Sequence, residues 1–116
     1  MNKHLSIALT MSALVGCAAD PAPHEQLRLT QQALDQARAV GASDQITELQ
    51  QAEQKLALAI AAMRDENYRA ARLQAEQAEL DARLAEARVL NEKSGLELAE
   101  LNRRIALIRR QLGEMH

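Results

Sequence analysis

Residues 67–89 read NYRAARLQAEQAELDARLAEARV, and two spacings inside this stretch decide the fold. Ala71, Ala75, Ala78, Ala82, Ala85 and Val89 recur at steps of four and three, a heptad stripe of small side chains. Leu73, Leu80, Leu84 and Ala87 make a second stripe along another side of the same helix. Small side chains let two helix axes approach toward the short end of the usual separation of about 8–10 Å. The first stripe therefore predicts close packing on a neighbouring helix.

Going outward toward the C-terminus, the helical pattern continues to about Gly113, roughly 70 Å of helix at 1.5 Å per residue if unbroken. The second stripe turns polar at Asn91 and Ser94, then resumes as Leu98, Leu101, Ile105, Ile108 and Leu112, a clean a/d seam. Gly95 costs about 1 kcal/mol relative to Ala in a helix interior. Ser94 with Glu97 three residues later is a capping-box pattern. Either one long helix continues past a weak point, or it ends near Lys93 and a fourth helix starts at Ser94. Continuity is the reading adopted, and it leaves the C-terminal seam in need of a cover from elsewhere.

Going outward toward the N-terminus, Asp65, Glu66 and Asn67 interrupt the pattern, and their acidic or amide groups suit the cap of the helix that follows. Before them a helix is predicted over about 45–64, with Ile46, Leu49, Leu56, Ile60 and Met63 as its apolar stripe and Ala52, Ala57, Ala59 and Ala61 beside it. A first helix is predicted over about 25–40, with Leu27, Leu34 and Ala37 on one face and Leu29, Ala33 and Val40 on the next. Gly41 suits the residue just after that helix, where positive φ is needed, and Ser43 or Asp44 suits the next N-cap. Breaks this short make the helices antiparallel neighbours. The chain has no Trp or Phe and one Tyr, and its abundant Ala, Leu, Glu, Gln and Arg form helix readily. The expected fold is all-α, an antiparallel helical hairpin or three-helix arrangement with a long C-terminal coiled-coil-like helix. A core this thin leaves little room for an enclosed pocket, which weighs against an enzyme.

The N-terminus supplies an address. Lys3 and His4 precede an apolar run from Leu5 to Val15, the layout of a secretory signal and too short to span a bilayer. Leu14, Val15, Gly16 and Cys17 close it as a bacterial lipobox. Cys17 is the expected lipidation site, carrying a diacylglyceryl thioether and, after cleavage, an N-acyl chain. More than one acyl chain makes attachment stable, at about 0.8 kcal/mol per buried methylene. Ala18 and Ala19 lack the Asp that retains many lipoproteins in the inner membrane, so the expected location is the periplasmic face of the outer membrane. The expected organisation is a signal peptide over 1–16, a lipidated cysteine and tether over 17–24, an alanine-rich helical domain over 25–93 and a coiled-coil extension over 94–116. Pro21 and Pro23 keep the tether from starting as helix.

No catalytic or metal-binding set emerges. His4, His24 and His116 lie in the signal, the tether and the terminus, with no spacing that joins two on one metal. Asp65 with Arg69, Glu79 with Arg83 and Glu100 with Arg104 read as i,i+4 surface pairs. Tyr68 reads as an apolar anchor of its turn rather than a ligand-stacking ring. Arg103, Arg104, Arg109 and Arg110 read as seam flanks that complement a helix C-terminus rather than as a site for anionic lipid or glycan. The address and the net charge of −2 argue against nucleic acid. No cofactor is expected beyond the lipid on Cys17.

The segment Ile46 to Val89 resembles the domain-of-unknown-function family 4398, above all Asn67, Tyr68, Arg69, Ala70, Ala71, Arg72 and Leu73, followed by Ala75, Glu76, Ala78, Glu79, Leu80, Asp81, Ala82, Leu84, Ala85, Glu86 and Ala87. The resemblance implies a small helical bacterial lipoprotein and no defined activity. Similar segments precede OmpA-like domains; none is read here before His116, so peptidoglycan is left as an unsupported partner. The expected role is structural or adaptor-like, through self-association or binding to another envelope protein along Leu98, Leu101, Ile105, Ile108 and Leu112. The alternative is a monomeric, tetratricopeptide-like module that binds a peptide or protein between its helices.

Overall fold

A computed structural model describes residues 20–114, within which three helices and no strands occur: α1 His24–Ala39, α2 Thr47–Arg64 and α3 Tyr68–Glu114. Cys17 and the rest of the lipobox lie outside the described residues. The long helix is continuous through Ser94 and Gly95, and nothing lies within 4 Å of a Cβ built on Gly95. One helix of 47 residues therefore carries both stripes, and α1 and α2 pack on its first half.

The alanine stripe is the floor of the core. Ala71, Ala75, Ala78, Ala82 and Ala85 have no accessible surface, and Val89 is buried at the end of the row. From α1 the buried residues are Thr30, Ala33, Leu34 and Ala37; from α2 they are Leu49, Ala52 and Ala59. Close approach is visible at Thr30, whose Oγ1 lies 2.8 Å from the carbonyl oxygens of both Gln26 and Ala75. A side-chain hydroxyl one atom off the backbone of α1 thus reaches the backbone of α3, which only a small residue such as Ala75 allows.

The stripe of α2 differs from the expected one. Leu49, Ala52 and Ala59 face the core, Leu56 and Met63 are half-buried, and Ile60 is 41% exposed. Alanines on α3 draw the axis of α2 close, and at that separation alanines of α2 fit the contact better than branched bulk, turning Ile60 toward the rim.

Both turns are Schellman closures. After α1, Gly41 takes φ +106°, its N–H donates to Arg38 O at 2.9 Å, and Ala42 N–H donates to Ala37 O at 2.9 Å. After α2, Glu66 takes φ 56°, its N–H donates to Met63 O at 3.2 Å, and Asn67 N–H donates to Ala62 O at 2.9 Å. The cap at Asn67 is as expected: its Oδ1 accepts from Ala70 N–H at 3.2 Å. The expected cap at Ser43 or Asp44 is not formed. Ile46 is the N-cap of α2, because a turn from Ser43 O to Ile46 N–H delays the helix, and the Gln50 amide reaches back to Asp44 O at 2.6 Å.

Candidate functional site

Chain direction decides which ends of the molecule are available. Arg72 Nη2 donates to Pro21 O (3.4 Å), Gln26 Nε2 to Glu79 (2.7 Å), Gln36 Nε2 to Glu86 (3.3 Å) and Lys93 Nζ to Val40 O (2.6 Å). Rising numbers on α1 pair with rising numbers on α3, so the two run parallel. On the other flank Lys55 meets Asp81 (2.5 Å) and Glu48 meets Arg88 (3.0 Å), so α2 runs antiparallel to α3. The tether consequently joins the body at the end where α3 begins. Among the described residues no helix packs on α3 beyond Lys93, and residues 94–114 form an arm of about 32 Å at 1.5 Å per residue.

These cross-helix pairs also fix the free face. α1 lies along Glu79 and Glu86, α2 lies along Asp81 and Arg88, and the sector between them on the far side of α3 carries Leu73, Leu80, Leu84 and Ala87. All four are exposed. On the arm the same sector carries Leu98, Leu101, Ile105, Ile108 and Leu112, each 46–61% exposed. The sequence-predicted seam thus lies in one line with the body leucines on the back of α3, opposite the alanine row, apolar except at Asn91 and Ser94. Lengthening α1 or α2 would not reach it. Leu96 and Leu107 are exposed as well; they continue the alanine side of α3 past Val89, where α1 and α2 have ended. Sequence reading passed over them because acidic and basic residues surround them on that side.

The charged groups are surface pairs. Arg83 bonds Glu79 (2.6 Å) and Arg104 bonds Glu100 (2.9 Å), whereas no ion pair joins Asp65 to Arg69. The Arg83 guanidinium and then the Gln26 amide hold the Glu79 carboxyl below the usual carboxylate range. Glu48 is lowered first by its own backbone N–H at the start of α2 and then by Arg88. Tyr68 is half-buried at the start of α3. The cleft between α1 and α3, lined by Leu29, Gln32, Ala33, Gln36, Arg83 and Glu86, is shallow and open. Among the described residues no three His, Cys, Asp or Glu side chains gather as metal ligands, and no helix is long and apolar enough to cross a membrane.

Comparison with known proteins places this arrangement. The domain of unknown function DUF4398 matches residues 25–101. A crystal structure of a DUF4398 family protein from Pseudomonas aeruginosa PAO1 is similar at 57% sequence identity and a TM-score of 0.79, over 83% of this chain and 100% of that one. No curated protein matches the chain. With three helices, a long uncovered C-terminal arm and a family match over most of its length, the chain belongs to the DUF4398 family.

Proposed function

We propose that the protein is a lipid-anchored, periplasm-facing structural or adaptor element of the bacterial envelope that works by helix–helix association along the back of α3. The lipobox Leu14, Val15, Gly16 and Cys17 supports the anchor, and Ala18 and Ala19 favour the outer membrane over the inner. The tether joins the body at the start of α3, so an anchored molecule would hold its arm away from the lipid surface.

The observation that carries the association reading is the uncovered seam. Full burial of one Leu or Ile contributes about 1.5–3 kcal/mol, and the five arm residues keep about half of their surface. Covering them would contribute roughly 4–8 kcal/mol per chain, about 8–15 kcal/mol for two copies. That is of the order of the cost of association, about 4–15 kcal/mol. The arm alone would therefore make a marginal complex, and Leu73, Leu80 and Leu84 on the body supply the further burial that a stable one needs.

Light scattering across a concentration series of residues 18–116, which contain every described contact, tests this reading. A mass above the monomer that falls on Leu101→Lys with Ile105→Lys is the expected result. A monomer at high concentration that also retains no other envelope protein on crosslinking in cells would overturn it. Incorporation of labelled palmitate into the full chain, abolished by Cys17→Ser, tests the anchor separately.

A further inference from the structure

The heptad stripe on the back of α3 is symmetric about the point midway between Asn91 and Ser94, its two adjacent polar residues. Counting outward from that point, Ala87 mirrors Leu98 and Leu84 mirrors Leu101. Farther out, Leu80 mirrors Ile105 and Leu73 mirrors Leu112; Gln77, which mirrors Ile108, is the one a or d position of unlike polarity. Under the same reflection the arm, residues 94–114, falls on residues 71–91. The arm therefore has the length of the back that α1 and α2 leave open on the body.

From this we infer that the seam is covered by a second copy of the same chain running antiparallel, each arm laid along the back of the other's body and Asn91 of each beside Ser94 of its twin. The inference rests on the association reading above and fixes its occupant, direction and register.

Three observations carry this arrangement. The first is the symmetry. Any helix matches its own copy when parallel and in register, so a polar match there distinguishes nothing, whereas a match under reversal requires the two halves of the stripe to agree. Here the Asn91 amide and the Ser94 hydroxyl meet and can bond each other. A slip of one heptad in either direction sets both against alanine or leucine, leaving them desolvated without partners. Gln77 and Ile108 meet one layer from the end of the pairing.

The second is the charge along the rims. In a parallel pair each g position faces the e position of the next heptad, which sets Arg83 on Arg88, Arg104 on Arg109 and Glu76 on Asp81. In the antiparallel pair g faces g and e faces e. Arg88 then meets Gly95, Arg109 meets Gln74, Asp81 meets Asn102 and Glu76 meets Gln111. One like-charge contact is left, Arg83 with Arg104, and each is held by an acid of its own chain, Glu79 at 2.6 Å and Glu100 at 2.9 Å.

The third is the charge of the two halves. Residues 20–93 carry thirteen acidic and nine basic side chains, a net charge of −4, and residues 94–114 carry four basic and three acidic, a net +1. Helices about 8–10 Å apart feel this difference, since charges are screened over a similar distance. The antiparallel pair sets cationic arm on anionic body; the parallel pair sets body on body. Each tether leaves beside Arg72, which bonds Pro21 O, so the two tethers of the pair are about 60 Å apart. An anchored pair would lie along the membrane surface, where a single copy would stand off it.

Spin labels on single cysteines in residues 18–116, which contain no other cysteine, test direction and register together. Arg103 and Arg110 are exposed on the side of the arm away from the seam, so Arg103→Cys and Arg110→Cys leave the contact intact. In the antiparallel pair residue 103 stands level with Ala82 of the twin and residue 110 with Ala75. Identical labels are then separated along the axis by about 32 Å and about 52 Å. Pulsed electron paramagnetic resonance should therefore give a distance about 15–20 Å longer for Arg110→Cys than for Arg103→Cys.

A dimer by light scattering with equal distances at the two labels would overturn the antiparallel direction while the association reading stands. Both distances displaced together by about 10 Å would mark a slip of one heptad and overturn the register. A monomer with no coupling between labels would overturn the second copy as the occupant, and crosslinking in cells then decides whether another envelope protein covers the seam.

Discussion

Ala82→Leu against Leu80→Ala is the pair of substitutions that most directly tests which side of α3 makes the core. By composition alone the result would be the reverse of what the structure predicts, since Leu80 is the larger apolar group. Ala82 has no accessible surface and sits between Ala78 and Ala85, which have none either. Three added carbons there have no space to enter unless α1 and α2 move off α3. Overpacking of this kind costs about 1–3 kcal/mol, and the close approach of α1 to α3, seen in the bond from the Thr30 hydroxyl to Ala75 O, puts this site at the upper end. Leu80 is 66% exposed, so its truncation loses only about a third of the roughly 1.5–3 kcal/mol for full burial. The expected loss is about 0.5–1 kcal/mol, partly offset by the better helix propensity of alanine. Urea unfolding followed by far-ultraviolet circular dichroism, at low micromolar protein, measures both. In thermal melts the Ala82→Leu loss corresponds to a fall of roughly 12–20 °C for a domain of this size. Equal losses at the two sites, or a neutral Ala82→Leu, would refute the assignment of the alanine row to the core.

Backbone effects should be equally legible. Glu66→Gly should stabilise by about 1 kcal/mol, because a residue with a side chain pays roughly 1–2 kcal/mol to hold the left-handed conformation that Glu66 adopts; an unchanged urea midpoint would contradict this. Gly41→Ala should cost a similar amount through backbone strain, since the new Cβ would meet Lys93 and Val89 only at ordinary contact distances. Gly95→Ala should gain about 0.8–1.0 kcal/mol, its Cβ pointing into open space in a continuous helix, and calorimetry of the pair would show whether the arm melts with the body. Stability should also depend on acid. Glu48 and Glu79 bind protons less readily folded than unfolded, so their contribution is complete above the ordinary glutamate value of about 4.3 and is lost as pH falls through their lowered folded values. A urea midpoint as high at pH 3 as at pH 7 would remove these pairs from the account.

Much of this architecture is legible in the sequence because the alanine row carries two kinds of information at once. Its spacing sets the helix period, and its size sets how close the neighbours come. The extent of α3 follows from the unbroken period, and the Gly41 turn follows from the one residue that takes positive φ freely. The stripe of α2 was harder to read, since hydrophobicity ranks Ile60 above Ala59, whereas packing on alanine ranks them the other way. The start of α2 was also obscured: Ser43 and Asp44 are good capping residues, but the turn from Ser43 to Ile46 occupies them first. Glu66 gives no sign of its left-handed conformation, because the short break between α2 and α3 forces that geometry on whatever residue stands there. The seam itself was plain in the spacing. Its position opposite the alanine row follows from 100° per residue; that α1 and α2 both leave it open is shown by the cross-helix pairs at Glu79, Asp81, Glu86 and Arg88, which no spacing within α3 specifies.

The uninterrupted course of α3 through Gly95 has a mechanical consequence. A single helix past Lys93 is a ruler with a fixed tick of 1.5 Å and a fixed rotation of 100° per residue. Removing seven residues would shorten the overhang by about 10 Å and turn the remaining seam by only about 20°. Removing five would swing the distal leucines through about 140°. The length of the projection and the direction its tip faces are therefore written in the same residue count, and a change in length that nearly preserves direction is available only in steps of about seven or eleven residues.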